Sequence, residues 1–99
     1  MNADKLTHLR ALLDIASDDV SRFSKAVRDA EEGVLVAAGV SDDLYADARD
    51  DLEDARDELA AALARRAKAR GSLDQAEAEA RASADLKVAR FGAPRRTRA

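Results

Sequence analysis

The chain has 99 residues, of which 37% are charged, 3% are aromatic and none is cysteine, and its formal net charge is −3. The lack of cysteine excludes disulfides, thiolate catalysis and cysteine-ligated metal centres, and the charged, aromatic-poor composition is typical of long helices and coiled coils. Alanine supplies 24 of the apolar residues, so little large apolar material is left for a closed core, and we expect stability to need a partner.

The first predicted element is a helix over about residues 3–38. Its apolar residues recur at alternating steps of three and four, which is the heptad pattern of a coiled coil. This seam consists of Leu6, Leu9, Leu13, Ala16, Val20, Phe23, Val27, Ala30, Val34 and Ala37.

A turn follows the first helix at residues 39–43. Gly39 suits a left-handed residue after the helix C-terminus, and Ser41 suits an N-cap. Asp42 and Asp43 then fall in the first turn of the next helix, where negative charge is favourable. The pattern predicts a short connection between antiparallel helices.

The second predicted helix covers about residues 42–90 and has its own seam. That seam consists of Tyr45, Ala48, Leu52, Ala55, Leu59, Ala62, Arg66, Ala69, Leu73, Ala76 and Ala80. Gly71 and Ser72 interrupt the helix-forming sequence, and Ser72 with Gln75 resembles a capping box that could begin a third helix. Because the seam keeps its phase across Gly71, a continuous helix is the favoured alternative.

Folding the chain about Ser41 pairs seam residues at equal distances from that serine. Most pairs then set a large side chain against a small one, as in Val27 with Ala55, which allows close packing of the helices. The sequence therefore predicts an all-α antiparallel helical hairpin, a coiled coil with a long second helix, as one domain over residues 1–90. Residues 91–99 contain Gly92 and Pro94 and are predicted to leave the helix as an extended basic arm.

No residue pattern points to catalysis or to a bound cofactor. The single histidine, His8, has no second ligand at metal-binding spacing, and no Gly-rich phosphate loop or activated nucleophile is present. The acidic residues Asp43, Asp47, Asp50, Asp54 and Asp57 recur at helical spacing on the outer face, which favours a solvated surface. We therefore expect no enzyme activity, no metal, no cofactor and no small-molecule substrate.

Several large apolar residues lie outside the seam and are hard to explain in an isolated hairpin. We predict that they bind a protein partner or a second copy of the chain. Phe91, at the start of the arm, is predicted to join them as an anchor. The off-seam residues are Leu12, Ile15, Leu35, Val36, Leu44 and Leu63.

Basic residues concentrate in the second part of the chain. Residues 1–60 carry 16 acidic and 7 basic side chains, whereas residues 61–99 carry 4 acidic and 10 basic ones. One basic cluster comprises Arg65, Arg66, Lys68 and Arg70, and the arm carries Arg95, Arg96 and Arg98. The arm could contact a nucleic-acid backbone or a protein, whereas a solvated face is the favoured interpretation of the first cluster.

The function that fits these features is that of a structural or assembly protein acting through coiled-coil surfaces. The alternatives are a nucleic-acid-associated protein that uses the arm and a small regulator that sequesters a protein partner. No signal peptide or membrane span is predicted, since the longest strongly apolar stretch covers only residues 34–38. We therefore expect a soluble, intracellular protein. The Ala-, Asp- and Arg-rich composition resembles that of accessory components of bacteriophage particles, which adds a virion to the cytoplasm as an expected location.

Overall fold

The computed structural model describes residues 2–91, and the side chains of residues 3–86, as two helices without a strand. Helix α1 spans Asn2–Ala38 and helix α2 spans Asp42–Phe91. The helices pack against each other along their length and form an extended helical hairpin. The predicted all-α hairpin is thus confirmed, while supercoiling of the two helices, which defines a coiled coil, stays a prediction.

The turn between the helices is closed by backbone hydrogen bonds and by one side chain. The Ser41 Oγ accepts a hydrogen bond from the Leu44 backbone N–H at 3.1 Å, so Ser41 is the predicted N-cap of α2. The Gly39 prediction is wrong, because no glycine among the described residues has a positive φ. Instead, the Gly39 N–H donates to the Val36 carbonyl and the Val40 N–H to the Ala37 carbonyl. These bonds tighten the last turn of α1 and satisfy the Val36 and Ala37 carbonyls without a left-handed residue.

The interhelix core follows the two predicted seams. Every seam residue is buried or half-buried, whereas nearly all other described side chains are exposed. Ala62, the most buried of them, has 0% of its surface exposed. Among the side chains of residues 3–86, no large one is fully buried, and the buried core residues are mostly alanines: Ala16, Val20, Ala37, Ala62, Leu73 and Ala76.

Two interhelix ion pairs mark the register of the hairpin. Arg56 Nη2 lies 3.8 Å from Glu31 Oε2, and Arg10 Nη2 lies 3.4 Å from Glu77 Oε2. From the first pair to the second, the position on α1 moves back by three heptads, from Glu31 to Arg10, and the position on α2 moves forward by three heptads, from Arg56 to Glu77. The antiparallel register is therefore constant between the two pairs. Glu31 lies one turn after Val27, and Arg56 directly follows the predicted partner of Val27. The ion pairs therefore lie where pairing about Ser41 places them.

Helix α2 runs without a break through Gly71 and Ser72. No separate third helix therefore begins at Ser72. The Gln75 side chain donates to Glu79 Oε1 at 3.3 Å, one turn further along, instead of reaching back to cap a helix start. A Cβ added at Gly71 would meet no atom within 4 Å, so the glycine faces open space on the outside of the helix.

Helix α2 is longer than α1, with 50 residues against 37. In the register above, Ala80 lies at the level of Asn2, and the following turns of α2 extend past the start of α1. Leu86, in this overhang, is 60% exposed. Residues 81–86, the part of this overhang whose side chains the structure describes, are all exposed and contribute nothing to the interhelix core.

Candidate protein-binding surface

Many large apolar side chains of the described residues lie on the surface of this hairpin instead of in its core. Burying a Leu, Ile or Val side chain stabilises a protein by about 1.5–3 kcal/mol. The isolated hairpin does not gain the full stabilisation from those side chains that remain exposed. Among the described residues they are Leu12, Ile15, Leu35, Val36, Val40, Leu44, Leu63 and Leu86.

Heptad positions show which of these side chains share a side of the hairpin. With Leu6 and Tyr45 at position a, positions a and d form the seam, c and g lie on one side of it, and b and e lie on the other. We call the side with c and g the groove flank and the side with b and e the opposite flank. Within the paired part of the helices, four exposed residues occupy c or g, namely Leu12, Ile15, Val36 and Leu44, and Val40 in the turn lies beside Val36 and Leu44.

One group of groove-flank residues forms an open groove near the free ends of the helices, which we call the base groove. Leu12 and Ile15 line it together with Leu9 and the seam alanines Ala16 and Ala69. Ile15 is 59% exposed, although it is one of the largest apolar residues in the chain. The polar rim of the base groove consists of Asp19, Arg65, Lys68 and Ser72.

The rim of the base groove has a positive character. Asp19 is already paired, because its Oδ1 lies 2.8 Å from Arg22 Nη2. Arg65 and Lys68 form no ion pair with any residue whose side chain the structure describes. Their charges are therefore available to a negatively charged partner.

A second open groove on the same flank lies beside the turn, and we call it the tip groove. Val36, Val40 and Leu44 line it with the seam alanines Ala37 and Ala48. Gly33 adds space, since a Cβ at this position would meet no atom within 4 Å. The rim of the tip groove is acidic and consists of Asp29, Glu32, Asp47 and Asp51.

The two grooves are the same structural site, repeated along the hairpin. Eight of the nine residues that line the base groove have a counterpart in the tip groove three heptads away, about 30 Å along the helices. The chemistry of the counterparts differs: Leu12 corresponds to Gly33, and Lys68 corresponds to Asp47. The base groove is therefore bulky and positive where the tip groove is open and negative.

The structure divides the predicted partner-binding residues into two sets. Leu12 and Ile15 meet in the base groove, and Val36 and Leu44 meet in the tip groove. Leu35 and Leu63 lie on the opposite flank and line neither groove, although Leu35 is 77% exposed.

Several groove residues were not among the predicted binding residues. Gly33 and Val40 line the tip groove, and Leu9 lines the base groove although it belongs to the seam. The c and g letters of the heptad would have placed Gly33 and Val40 on one flank with Leu12 and Ile15. The width of each groove depends on the distance between the two packed helices, and the sequence does not show this distance directly.

The charged clusters of the sequence are distributed around the helices. Arg65 and Lys68 lie at the base groove, Arg66 takes its seam position, and Arg70 lies on the opposite flank. The four basic residues therefore do not form one continuous surface for a nucleic-acid backbone. Of the acidic series, only Asp47 lines a groove on this flank.

Two predicted features lie wholly or partly outside the described part of the chain. Arg95, Arg96 and Arg98 lie beyond residue 91, and for Phe91, the last residue of α2, the backbone alone is described. Within the described residues there is no group of three or more His, Cys, Asp or Glu side chains that could hold a metal ion. No described helix is long and apolar enough to cross a membrane.

Comparison of the chain with protein-family models, with curated proteins and with solved structures found no match.

Proposed function

We propose that this chain is a non-enzymatic structural or assembly protein that binds protein chains with its groove flank. The observation that carries the proposal is the distribution of apolar side chains: four of the six buried core residues are alanines, while larger exposed residues line two grooves on one flank. Contiguous exposed apolar surface with a polar rim is typical of protein interaction sites.

The shape of the hairpin supports the same proposal. Two long helices present an extended surface with both grooves on the same flank, and a partner helix could follow that flank from one groove to the other. The composition, which resembles that of accessory components of bacteriophage particles, leads us to include a virion or its assembly among the complexes that the hairpin would join.

The proposal is tested by capture with the tagged full chain from a lysate of the native host. Ile15→Arg and Leu44→Arg each place a charge in one groove and are expected to reduce the captured protein chains strongly, because the charge must be desolvated on binding. Leu35→Arg is the matched control: it makes the same kind of change at an exposed position on the opposite flank and should capture as the wild type does.

All three variants should remain as helical as the wild type in circular dichroism, since the replaced side chains are exposed. Unchanged capture by both groove variants would show that the groove flank is not the binding surface. Loss of capture with Leu35→Arg alone would move the binding surface to the opposite flank.

A further inference from the structure

We infer that the groove flank binds a second copy of this chain in the opposite direction, so that the base groove of each copy covers the tip groove of the other. The inference rests on the proposed function, because it names the partner of the same flank. It would produce a four-helix bundle from two hairpins, related by a two-fold axis across the flank.

The first argument is the complementarity of the two grooves. When two hairpins lie face to face and antiparallel, α2 of one faces α2 of the other. Lys68 then stands opposite Asp47 of the second copy, and Arg65 stands close to Asp51 of the second copy. These four side chains make no ion pair with any side chain among residues 3–86, so the dimer gives each a partner of opposite charge.

The second argument is the fit of the apolar side chains on α1. In the same arrangement, Ile15 of one copy stands opposite Val36 of the other. Beside Val36, Gly33 leaves open space where any larger residue would fill the groove. Because the grooves are related by three heptads on both helices at once, the apolar and the charged pairs align in a single register. A two-fold axis forms each contact twice.

The third argument concerns direction. Residues 42–60 carry nine acidic and two basic side chains, and all of them lie near the turn. A dimer with both turns at the same end would place both acidic segments at that end of the bundle, and like charges close together there disfavour that arrangement. The antiparallel arrangement sets residues 42–54 of each copy against the base half of the other, and only the last turns of the two acidic segments, around Glu58, meet at the two-fold axis.

The fourth argument is size. The flank from the tip groove to the base groove is about 45 Å long, and two helices side by side are about 18 Å wide, which gives on the order of 800 Å² for each copy. This matches the area that a stable, specific protein interface typically covers on each partner. One groove alone would offer about half of this area, which is less than a stable interface typically covers on each partner.

The test is sedimentation of the purified full chain over a wide dilution series, with charge-reversal variants. The wild type is expected to be a dimer that dissociates on dilution. Lys68→Glu and Asp47→Lys should each raise the dimer dissociation constant by about tenfold or more. The double variant Lys68→Glu with Asp47→Lys should return to within about threefold of the wild type, because the pair is restored with its signs exchanged. Arg70→Glu, two residues away but on the opposite flank, is the matched control and should leave the constant unchanged.

A steric pair of variants tests the fit without relying on charge pairs. Gly33→Arg fills the tip groove and should weaken the dimer, whereas Gly71→Arg makes the same change at an outward position and should not. Both glycines lie inside helices with open space around the Cβ position, so neither variant should lose its fold.

Direction is tested by fluorescence transfer between single cysteines, which label uniquely because the chain has none of its own. Donor at Asp43→Cys and acceptor at Ala11→Cys should lie at the same level in a mixed dimer and transfer efficiently. Donor and acceptor both at Asp43→Cys should lie roughly 40 Å apart along the bundle and transfer less. The reverse order would overturn the antiparallel arrangement.

A chain that is monomeric at every concentration would overturn the inference, as would a dimer that tolerates both Lys68→Glu and Gly33→Arg. A double charge variant that stays as weak as the single ones would do the same. If the chain is monomeric while capture from the lysate still depends on Ile15 and Leu44, the inference fails and the proposed function stands. If capture and dimerisation both ignore the groove variants, the proposed function fails as well.

Discussion

Gly39 ends α1 through hydrogen bonding and not through the conformational freedom of glycine. Its N–H and that of Val40 donate to carbonyls three residues earlier, and its φ is not positive. A Cβ at this position would lie 3.8 Å from the Val36 carbonyl oxygen, which is an ordinary van der Waals contact. The backbone here is therefore one that any L-residue can adopt.

Gly39→Ala is expected to raise the free energy of unfolding by about 0.4–1 kcal/mol, because alanine restricts the unfolded chain and introduces no strain in the folded one. Urea denaturation measures the change. Gly71→Ala, in the middle of α2, serves as a reference and should stabilise by up to about 1 kcal/mol through helix propensity. Destabilisation of Gly39→Ala by more than about 1 kcal/mol would indicate a left-handed residue and contradict the hydrogen bonding described above.

At the scale of the helices, the sequence was sufficient to predict those features that depend on neighbouring residues or on a repeated pattern. The seam repeats over many heptads, and Ser41 caps α2 with a bond to a residue three positions away, so both were predictable. The sequence around Gly71 was ambiguous, because the capping sequence after it favours a new helix whereas the unbroken seam favours a continuous one. Packing of the seam decides in favour of the continuous helix, at the cost of the cap that Ser72 and Gln75 would have formed.

The grooves were only partly predictable for a different reason. Residues such as Leu12 and Val36 are recognisable in the sequence as apolar and outside the seam, but this property alone does not show which of them line the same groove. Their grouping into two sites depends on which side of the seam each lies and on the second helix that closes each groove. The repeat of the base groove three heptads away is visible only when both helices are in place.

The pairing of the helices is tested by a double-mutant cycle on Phe23 and Leu59, which lie at equal distances from Ser41. Both are half-buried, so each change to alanine is expected to cost about 2 kcal/mol, near the lower end for large core residues. The double variant should cost less than the sum of the two, because the side chains share one layer. Phe23→Ala with Leu73→Ala is the control: Leu73 is buried several layers away, and the two costs should add. Additive costs for Phe23 and Leu59 would place them in different layers.

For the whole molecule, the proposed two-fold axis has a location that mutation can test. On α2 it passes midway between Asp47 and Lys68, and on α1 midway between Ile15 and Val36. Ala26 and Glu58 lie at these midpoints on the groove flank. Ala26 is small enough for a close approach, whereas Glu58 would face Glu58 of the second copy.

Glu58→Gln is therefore expected to tighten the dimer several-fold, because it removes a like-charge contact at the axis. Glu53→Gln, on the opposite flank, should have no effect. The melting temperature, which rises with dimer affinity at fixed concentration, provides an independent measurement. A weaker dimer with Glu58→Gln would place the axis elsewhere on the flank.

The unequal lengths of the helices have a consequence for how such a dimer could act. Each copy carries the end of α2 beyond the start of α1, with Leu86 exposed on it. In an antiparallel pair, these single-helix extensions point away from each other at the two ends of the rod. The dimer would thus be bivalent, because it presents an identical α2 extension at each of its two ends to a partner that binds this extension. A bivalent rod can bridge two copies of a target or hold them at a fixed spacing, and its avidity can exceed the affinity of either end alone when both ends are engaged.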